Sequence, residues 1–256
     1  MSRATVLAYH AVGSCPLAQD RHNLFVSVEA FERQMSFLAR KRRVVPLGDV
    51  VEGRLPSGPP AVAITFDDGY RNVLHAAGPI LARLGLPSTV FVPTDWRGRV
   101  NGWIEPSACD FEIMADDELR RAEGMGIAVE SHGHAHIDMS AATRDEVERD
   151  IRTSLDRLED AIGRRPRFLA YPYGRIASWT PDVAASCGID AAFTIDERHA
   201  GMHAYERVQV TPLDGTVTFA LKTSGYYLRV RRSRAVTTTY GAVKPVVRRV
   251  LGRGRS

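Results

Sequence analysis

The chain has 256 residues, of which 44% are hydrophobic and 25% charged. This composition excludes a disordered or fibrous protein and allows one large domain or two small ones. Positive charge is concentrated at the C-terminal end. No acidic residue follows Asp214, whereas Lys222 and nine later lysines and arginines contribute +10, so residues 1–214 carry 24 basic and 30 acidic residues. The net charge of +4 therefore reflects the tail and does not indicate that the body binds nucleic acid.

The three cysteines lie far apart in the sequence, at Cys15, Cys109 and Cys187. An odd, sparse set without a C-x-x-C pair is typical of reduced structural thiols. The N-terminal apolar run is interrupted by Tyr9 and His10, so we expect no signal peptide, and no apolar stretch is long enough to predict a transmembrane helix. These features together predict a cytoplasmic protein.

Short apolar runs alternate with helical patterns along most of the chain, which predicts an α/β fold with a parallel sheet. The predicted strands are Thr5–Tyr9, Ala61–Phe66, Ser88–Val92, Ile127–Glu130, Phe168–Tyr171 and Ala191–Ile195. Ser27 can cap one helix, and residues 71–84 form a second that ends before Gly85. Thr143 begins a third helix with a capping box, and Gly163 ends it. A barrel and an open doubly wound sheet both satisfy this order, and no glycine-rich nucleotide-binding motif follows a strand.

The predicted strand Ala61–Phe66 ends at two adjacent aspartates, Asp67 and Asp68, followed by Gly69. Adjacent carboxylates repel each other unless something stabilises them, and a divalent cation is the simplest stabiliser. Gly69 allows a sharp turn that brings the backbone close to a bound group. A solvent-exposed Asp-Asp-Gly turn is the alternative that this cluster leaves open.

The predicted strand Ile127–Glu130 leads into three histidines within five positions, His132, His134 and His136. Neutral imidazole is a good ligand for zinc, nickel, cobalt and iron. Two histidines and one carboxylate leave coordination positions open for water and substrate, as a catalytic metal requires. A solvated histidine-rich loop is the alternative.

A third turn, Pro172 to Gly174, follows the predicted strand Phe168–Tyr171. Backbone N–H groups in such a turn can face an anion, and Tyr173 can line a pocket, although the pattern suits any tight turn. Because the carboxyl ends of parallel strands face one surface, we expect the three clusters to form one site.

With these clusters the chain resembles the NodB-homology polysaccharide deacetylases, carbohydrate esterase family four, over about residues 4–225. Residues 65–69 match the T-F-D-D-G motif in full. The H-[ST]-x-x-H motif is matched at His132 and His136, and the R-x-P-[YF] motif at residues 172–173. The resemblance implies a distorted (β/α) barrel in residues 1–225, followed by a basic C-terminal extension.

The resemblance also implies residue roles. Asp68, His132 and His136 would hold a divalent metal, with zinc favoured and cobalt or nickel as alternatives. Asp67 would be the general base that takes a proton from the attacking water. The backbone N–H of Tyr173 would help to bind the tetrahedral oxyanion, and Tyr173 would also line the substrate site.

Two positions depart from the motifs of the family. Gly133 replaces the usual Ser or Thr, which removes an expected loop hydrogen bond. Ala170 replaces the Arg that normally orients the base, so Asp67 needs another cation, and Arg175 and Arg207 are both candidates. No L-x-H motif is found near the C-terminus, which leaves the general acid unassigned.

His10, which follows the first predicted strand, is the first candidate for that acid. His134 is a second candidate, and Asp67 serving as both base and acid is a third. Trp96 and Trp103 lie in a glycine-containing segment where they could stack on a sugar ring or anchor the loop. We take Trp103 as the candidate for substrate binding.

Residues 226–256 form a basic tail in which five aliphatic residues between 243 and 251 have helical spacing. This pattern predicts an amphipathic helix on an anionic membrane surface, and a solvated tail is the alternative.

The sequence as a whole predicts metal-dependent hydrolysis of an N-acetyl group on an amino sugar in polysaccharide or glycoconjugate biosynthesis. The substrate would be an N-acetylated sugar, an oligosaccharide or a lipid-linked sugar at the inner membrane face, with no nucleic acid as partner. A deacylase of another amide, such as a formamide or a cyclic imide, is one alternative. A catalytically impaired carbohydrate-binding protein is the other, although such a protein has no need of four intact site residues.

Overall fold

Nine strands form one parallel sheet in the computed structural model, which describes residues 4–16, 18–55, 57–104, 109, 111–195 and 200–232. The strands of this sheet are β1 (Thr5–Tyr9), β4 (Arg43–Val44), β5 (Ala61–Phe66), β6 (Ser88–Val92), β7 (Ile127–Ser131), β8 (Phe168–Ala170), β9 (Ala191–Thr194), β10 (Tyr205–Glu206) and β11 (Val208–Gln209). Two further strands, β2 (Ala11–Val12) and β3 (Phe25–Val26), pair only with each other.

The strand order is β10-β9-β8-β7-β6-β5-β1-β11, with β4 added beside the start of β5. β10 pairs with β9 at one edge of the sheet and β11 pairs with β1 at the other, yet a single residue, Arg207, separates β10 from β11. The two edges therefore meet at Arg207, and the sheet nearly closes into a barrel. This arrangement confirms the distorted (β/α) barrel expected from the sequence and excludes the open doubly wound sheet.

Eight α-helices surround the sheet within the described residues: α1 (Val28–Lys41), α2 (Leu47–Val51), α3 (Gly78–Leu84), α4 (Asp116–Gly124), α5 (Arg144–Ile162), α6 (Thr180–Ser186), α7 (Thr216–Lys222) and α8 (Tyr227–Arg232). The Ser27 hydroxyl accepts a hydrogen bond from Ala30 N at the start of α1, and Thr143 begins α5 with a capping box. Gly163 ends α5 in the left-handed conformation (φ 77°), which a glycine adopts without steric cost. None of the described helices has the length and hydrophobicity needed to cross a membrane.

Alternation along β5 separates the barrel interior from its outer face. Val62, Ile64 and Phe66 join the large core beneath α1 and α3, whereas Ala61 and Ala63 join a smaller interior cluster. Successive side chains of a strand point to opposite faces. Thr65 and Asp67 therefore continue the interior face toward the carboxyl end of β5, where the functional residues lie.

Three of the six predicted strands, β1, β5 and β6, match their predicted bounds, and the other three differ by one residue at the end. The predicted helix over 71–84 begins instead as one π-helical turn, Val73–Ala77, and continues as α3. Within residues 226–256, α8 covers Tyr227–Arg232, and the predicted amphipathic helix lies outside the described residues.

The expectation of three reduced thiols is wrong for two of them. Cys15 and Cys109 form a disulfide with their Cα atoms 5.1 Å apart, and Cys187 alone is free and buried. The pairing depends on folding, because it joins the segment after β2 to the segment before α4 across 94 residues of sequence. Spacing in the sequence carries no sign of that proximity.

Candidate metal centre and active site

The carboxylate turn after β5 has an uncommon backbone conformation. Asp68 (φ 68°) and Gly69 (φ 67°) are both left-handed, and Asp67 N donates a hydrogen bond to the Tyr9 carbonyl at 2.9 Å. A Cβ atom at Gly69 would lie 3.1 Å from the Val92 methyl groups. The turn therefore favours glycine at this position, and it directs Asp67 and Asp68 to different sides of the strand end.

Two of the three clustered histidines face Asp68. His132 Nε2 and His136 Nε2 each lie 3.3 Å from the same Asp68 oxygen, and all three side chains are buried. His132 Nδ1 donates to the Ala170 carbonyl at 2.7 Å, which leaves Nε2 free to act as a ligand. His136 is also left-handed (φ 58°), and of the four non-glycine residues with positive φ in the described part of the chain, three lie in this site.

The donor set of this centre fits a divalent metal ion. The candidate ligand atoms of Asp68, His132 and His136 lie within 4.8 Å of one another. Two imidazoles and one carboxylate are a common ligand set for catalytic zinc, and they leave positions open for water and substrate. The structure thus brings together the three residues that the sequence predicts as metal ligands.

Burial and neighbouring charges have opposing effects on the pKa values of Asp68 and His136. Burial would raise the pKa of Asp68, but hydrogen bonds from His132 and His136 hold it well below its usual value. Burial lowers the pKa of His136 and outweighs the opposing effect of Asp68. Asp68 is therefore ionised and His136 neutral near pH 7, which are the forms that bind a metal ion.

Arg207 supplies the cation that Asp67 needs. Its Nη1 and Nη2 donate to the two Asp67 carboxylate oxygens, each at 2.7 Å, and Nη1 also donates to the Thr65 hydroxyl at 3.0 Å. The guanidinium is fully buried and lies 5.4 Å from the Phe91 ring centroid. Burial would raise the pKa of Asp67, but the charge and hydrogen bonds of Arg207 lower it, so Asp67 is ionised near pH 7.

The geometry decides between the two arginines that the sequence left open. Arg175 is exposed and donates to Asp138 at 3.2 Å, so it does not contact Asp67. Arg207 replaces the motif Arg from the link between β10 and β11, 140 residues from Asp67 in sequence. The signal in the sequence was the gap at Ala170, which indicated a missing cation but not its source.

The candidate acids lie in different surroundings. His10 directly follows β1 and is half-buried. Its electrostatic interaction is one of the smaller effects that lower the pKa values of Asp67 and Asp68. His10 is therefore within electrostatic range of both aspartates. His134 Nδ1 instead pairs with the Thr94 hydroxyl at 2.8 Å, in the segment after β6.

Two aromatic side chains contact His136, one of the candidate metal ligands. Trp103 stacks on it with ring centroids 3.8 Å apart and an interplanar angle of 17°. Tyr173 meets it edge-on at 4.7 Å, is left-handed itself (φ 59°) and is partly exposed. Trp96 packs edge-on against Trp103 and lies outside this contact. Trp103 and Tyr173 thus lie directly beside a candidate metal ligand, and the sequence predicts both of them as substrate-binding residues.

Tyr70 and Asn101 are site neighbours that the sequence did not reveal. Asn101 Nδ2 donates to the Tyr70 hydroxyl at 3.0 Å, and both side chains are buried. Burial and the charge of Asp68 raise the pKa of Tyr70 well above its usual value, so the hydroxyl stays protonated. This contact connects the segment that carries Trp103 to the turn that carries Asp68.

Comparison with known proteins places these residues in context. A sequence profile described as polysaccharide deacetylase matches residues 54–192, which is more than half of the chain and includes Asp67, Asp68, His132, His136 and Tyr173. His10 and Arg207 lie outside the matched region. These two residues near Asp67 thus come from the end of β1 and from the link between β10 and β11.

Two curated relatives are similar at low identity. YxkH of Bacillus subtilis (strain 168), whose name assigns it to the polysaccharide deacetylases, is 24% identical over 220 residues, covering 82% of this chain and 72% of that protein. The poly-β-1,6-N-acetyl-D-glucosamine N-deacetylase of Staphylococcus aureus (strain MRSA252) is 24% identical over 190 residues, covering 69% of this chain. The matched part is 63% of the staphylococcal protein, so this chain spans less than two thirds of it.

Two solved structures share the fold. The deacetylase PplD of Streptococcus pyogenes, solved in complex with acetate, superposes with a TM-score of 0.74 at 21% identity, covering 86% of this chain and 97% of that one. IcaB from Ammonifex degensii superposes with a TM-score of 0.72 at 21% identity, covering 90% and 98%. Both likenesses extend over nearly the whole described barrel.

Proposed function

The chain belongs to the polysaccharide deacetylase family, and from that premise we propose that it hydrolyses the N-acetyl group of an amino sugar in a polysaccharide or glycoconjugate. One observation carries the proposal. A buried Asp-His-His set adjoins a second aspartate whose two oxygens are both held by a buried arginine. A carbohydrate-binding site has no use for an ionised, oriented carboxylate beside a metal centre, whereas metal-dependent amide hydrolysis uses both.

In the proposed reaction Asp67 removes a proton from water as the water oxygen bonds to the acetyl carbon. Arg207 keeps Asp67 ionised and fixes its orientation, and each oxygen retains a lone pair that can accept the proton. A divalent cation held by Asp68, His132 and His136 supplies Lewis-acid polarisation of the acetyl carbonyl when bound.

Collapse of the tetrahedral species breaks the C–N bond and requires a proton for the departing amine. We assign that proton to His10, because it directly follows β1 and interacts electrostatically with both carboxylates. The backbone N–H of Tyr173 is proposed to stabilise the developing oxyanion. The products are acetate and the free amino sugar.

We propose zinc as the metal, because two imidazoles and a carboxylate suit it, with cobalt or nickel as functional substitutes. As the substrate we propose oligosaccharides of N-acetylglucosamine, supported by the staphylococcal relative whose name specifies that sugar. The side chains of Trp103 and Tyr173 place two aromatic rings beside His136, and aromatic rings are suited to packing against a sugar ring.

The deciding experiment measures acetate release. Metal-stripped protein is reloaded with zinc, cobalt or nickel and incubated with N-acetylglucosamine oligomers of different linkage, together with a formamide and a cyclic imide. Acetate release that disappears in Asp67→Asn while metal stays bound supports the proposal. Turnover of only the formamide or the imide assigns another deacylase, and tight metal binding without any turnover assigns a carbohydrate-binding protein.

We further propose that the surface beside the tail lies on an anionic membrane, which would give the site access to lipid-linked sugars. Leu213, Val217, Leu221 and Tyr226 are exposed large hydrophobic residues within 14 positions, and Val217 is 83% exposed. The sequence that follows is basic and contains no acid. Exposed aliphatic groups next to a concentrated positive charge suit a lipid surface with anionic headgroups.

Vesicle co-sedimentation tests this contact. The intact chain is expected to bind phosphatidylcholine vesicles that contain phosphatidylglycerol, and to bind vesicles of phosphatidylcholine alone only weakly. L213S/V217S/L221S should lose most of that binding, whereas V28S/M202S, which alters exposed aliphatic residues elsewhere, should retain it. Equal binding by both variants refutes the proposal. It is also refuted if light scattering shows a dimer for the intact chain and for V28S/M202S but a monomer for the triple variant.

A cytoplasmic location is a separate proposal, and the disulfide between Cys15 and Cys109 weighs against it because cytosolic thiols are kept reduced. Alkylation under denaturing conditions immediately after lysis decides the matter. Modification of all three cysteines supports the cytoplasm. Modification of Cys187 alone refutes it and assigns an oxidising compartment.

A further inference from the structure

Asp150 of α5 carries a buried carboxylate that faces the loop between the two ligand histidines. Its Oδ2 accepts a hydrogen bond from His134 N and its Oδ1 from Ala135 N, each at 2.8 Å. These amides belong to the two residues that immediately precede His136. The carboxylate therefore binds the backbone of the ligand loop through both of its oxygens.

This loop has no regular secondary structure to hold it. Gly133 (φ 76°) and His136 (φ 58°) are both left-handed, which turns the chain twice within four residues. A backbone of this kind keeps one conformation only where neighbouring groups fix it. Two charge-assisted hydrogen bonds accepted by one carboxylate are such a restraint, and they replace the loop hydrogen bond that the substitution at Gly133 removes.

Gly133 and Asp150 fit each other in space. A Cβ atom at Gly133 would lie 2.5 Å from Asp150 Oδ2, too close for the carboxylate to remain where it is. The absence of a side chain at Gly133 therefore makes room for the carboxylate. Asp150 lies on the buried face of α5 next to Ile151, so α5 places the carboxylate against the loop.

We propose that Asp150 is a positioning residue for the metal centre, which fixes His136 relative to His132 by binding the two amides between them. The inference rests on the proposed metal site but not on the identity of the sugar. A purely structural role would give a different result, because the variant would then lose stability without any change in its affinity for metal.

The test measures cobalt affinity, by competition titration and by the visible absorption of the bound ion, in the folded protein without substrate. Asp150→Asn removes one acceptor and is expected to weaken cobalt binding by about 10- to 100-fold, as is usual when a group that orients metal ligands is lost. Gly133→Ala should weaken it similarly, because its methyl group displaces the carboxylate. Ile151→Val, the matched control, removes one methyl group from the core of the same helix and should leave the affinity unchanged.

Unchanged cobalt affinity in a folded Asp150→Asn protein overturns the inference. So does an equal loss in Ile151→Val, because affinity would then follow general stability. If neither Asp150→Asn nor Gly133→Ala folds, hydrogen exchange of the wild-type protein without metal decides. The inference requires protected amides at His134 and Ala135, and fast exchange there refutes it. Wild-type protein that binds no cobalt at all contradicts the proposed function instead.

Discussion

Replacement of Arg207 by methionine is expected to damage both folding and catalysis through a single cause, a buried Asp67 left without its cation. The guanidinium donates to both carboxylate oxygens at 2.7 Å and is fully buried, so water cannot replace it. Removal of one partner of a buried ion pair costs about 3–5 kcal/mol of unfolding free energy. Asp67→Asn/Arg207→Met should be less destabilised than Arg207→Met alone, because no unpaired charge remains.

The pH dependence follows from the same contact. In the native protein the pKa of Asp67 is lowered, so the stability it contributes is present above the unfolded pKa of an aspartate and is lost as the pH falls through the folded pKa. Without Arg207, burial is opposed only by the weaker electrostatic effects of His132 and His10, so the pKa of Asp67 should rise. The acid limb of the profile of kcat/KM should therefore move to higher pH, and activity near neutral pH should fall about 100-fold or more.

Urea unfolding and a pH–rate profile measure these two effects. Arg175→Met is the matched control, since Arg175 is exposed and contacts Asp138 rather than Asp67. It should change stability by at most about 1 kcal/mol and leave the acid limb in place. An Arg207→Met protein with an unmoved acid limb and less than a tenfold loss of activity would refute the reasoning.

Three further outcomes are expected. Asp68→Ala should lose stoichiometric metal by elemental analysis, whereas Asp67→Asn should keep its metal and lose turnover, and equal metal content in the two variants would contradict the assigned roles. Trp103→Ala, which removes the ring stacked on the ligand histidine, should raise KM for oligosaccharides more than for a small N-acetyl sugar while metal content stays constant. An unchanged KM would make Trp103 a loop anchor. Cys15→Ser/Cys109→Ser should lower the free energy of unfolding by about 2–5 kcal/mol, because the disulfide closes a 94-residue span, and a reductant should produce the same loss in the wild-type protein.

Much of the fold could be predicted from the sequence because the long strands of the barrel have strong local signals. β5 and β6 are unbroken runs of residues buried on both faces. The two aspartates directly follow β5, and the histidines directly follow β7. The prediction that they share one surface needed only the rule for parallel sheets. The proximity of Asp68, His132 and His136 in the structure agrees with it.

The remainder of the site could not be predicted because its signals are long-range or too short. β10 and β11 have two residues each, too few to show a hydrophobic period, so nothing in the sequence placed Arg207 beside Asp67. The disulfide likewise depends on two loops that meet only after folding. Asp150 does leave a sign in the sequence, since an acidic residue lies among the mostly apolar residues on the buried face of α5.

The meeting of the two sheet edges at Arg207 also sets an order of assembly. Leu7 of β1 pairs with Val208 of β11, so nearly the whole chain must be synthesised before the last pairing of the barrel can form. Pairings this distant in sequence form late, because ordering the intervening chain costs entropy before the contact stabilises it. The ligands after β5 and β7 are supplied much earlier than the guanidinium between β10 and β11. During synthesis the candidate metal ligands therefore emerge before Arg207. Arg207 can orient Asp67 for proton transfer only after β11 pairs with β1 and closes the barrel.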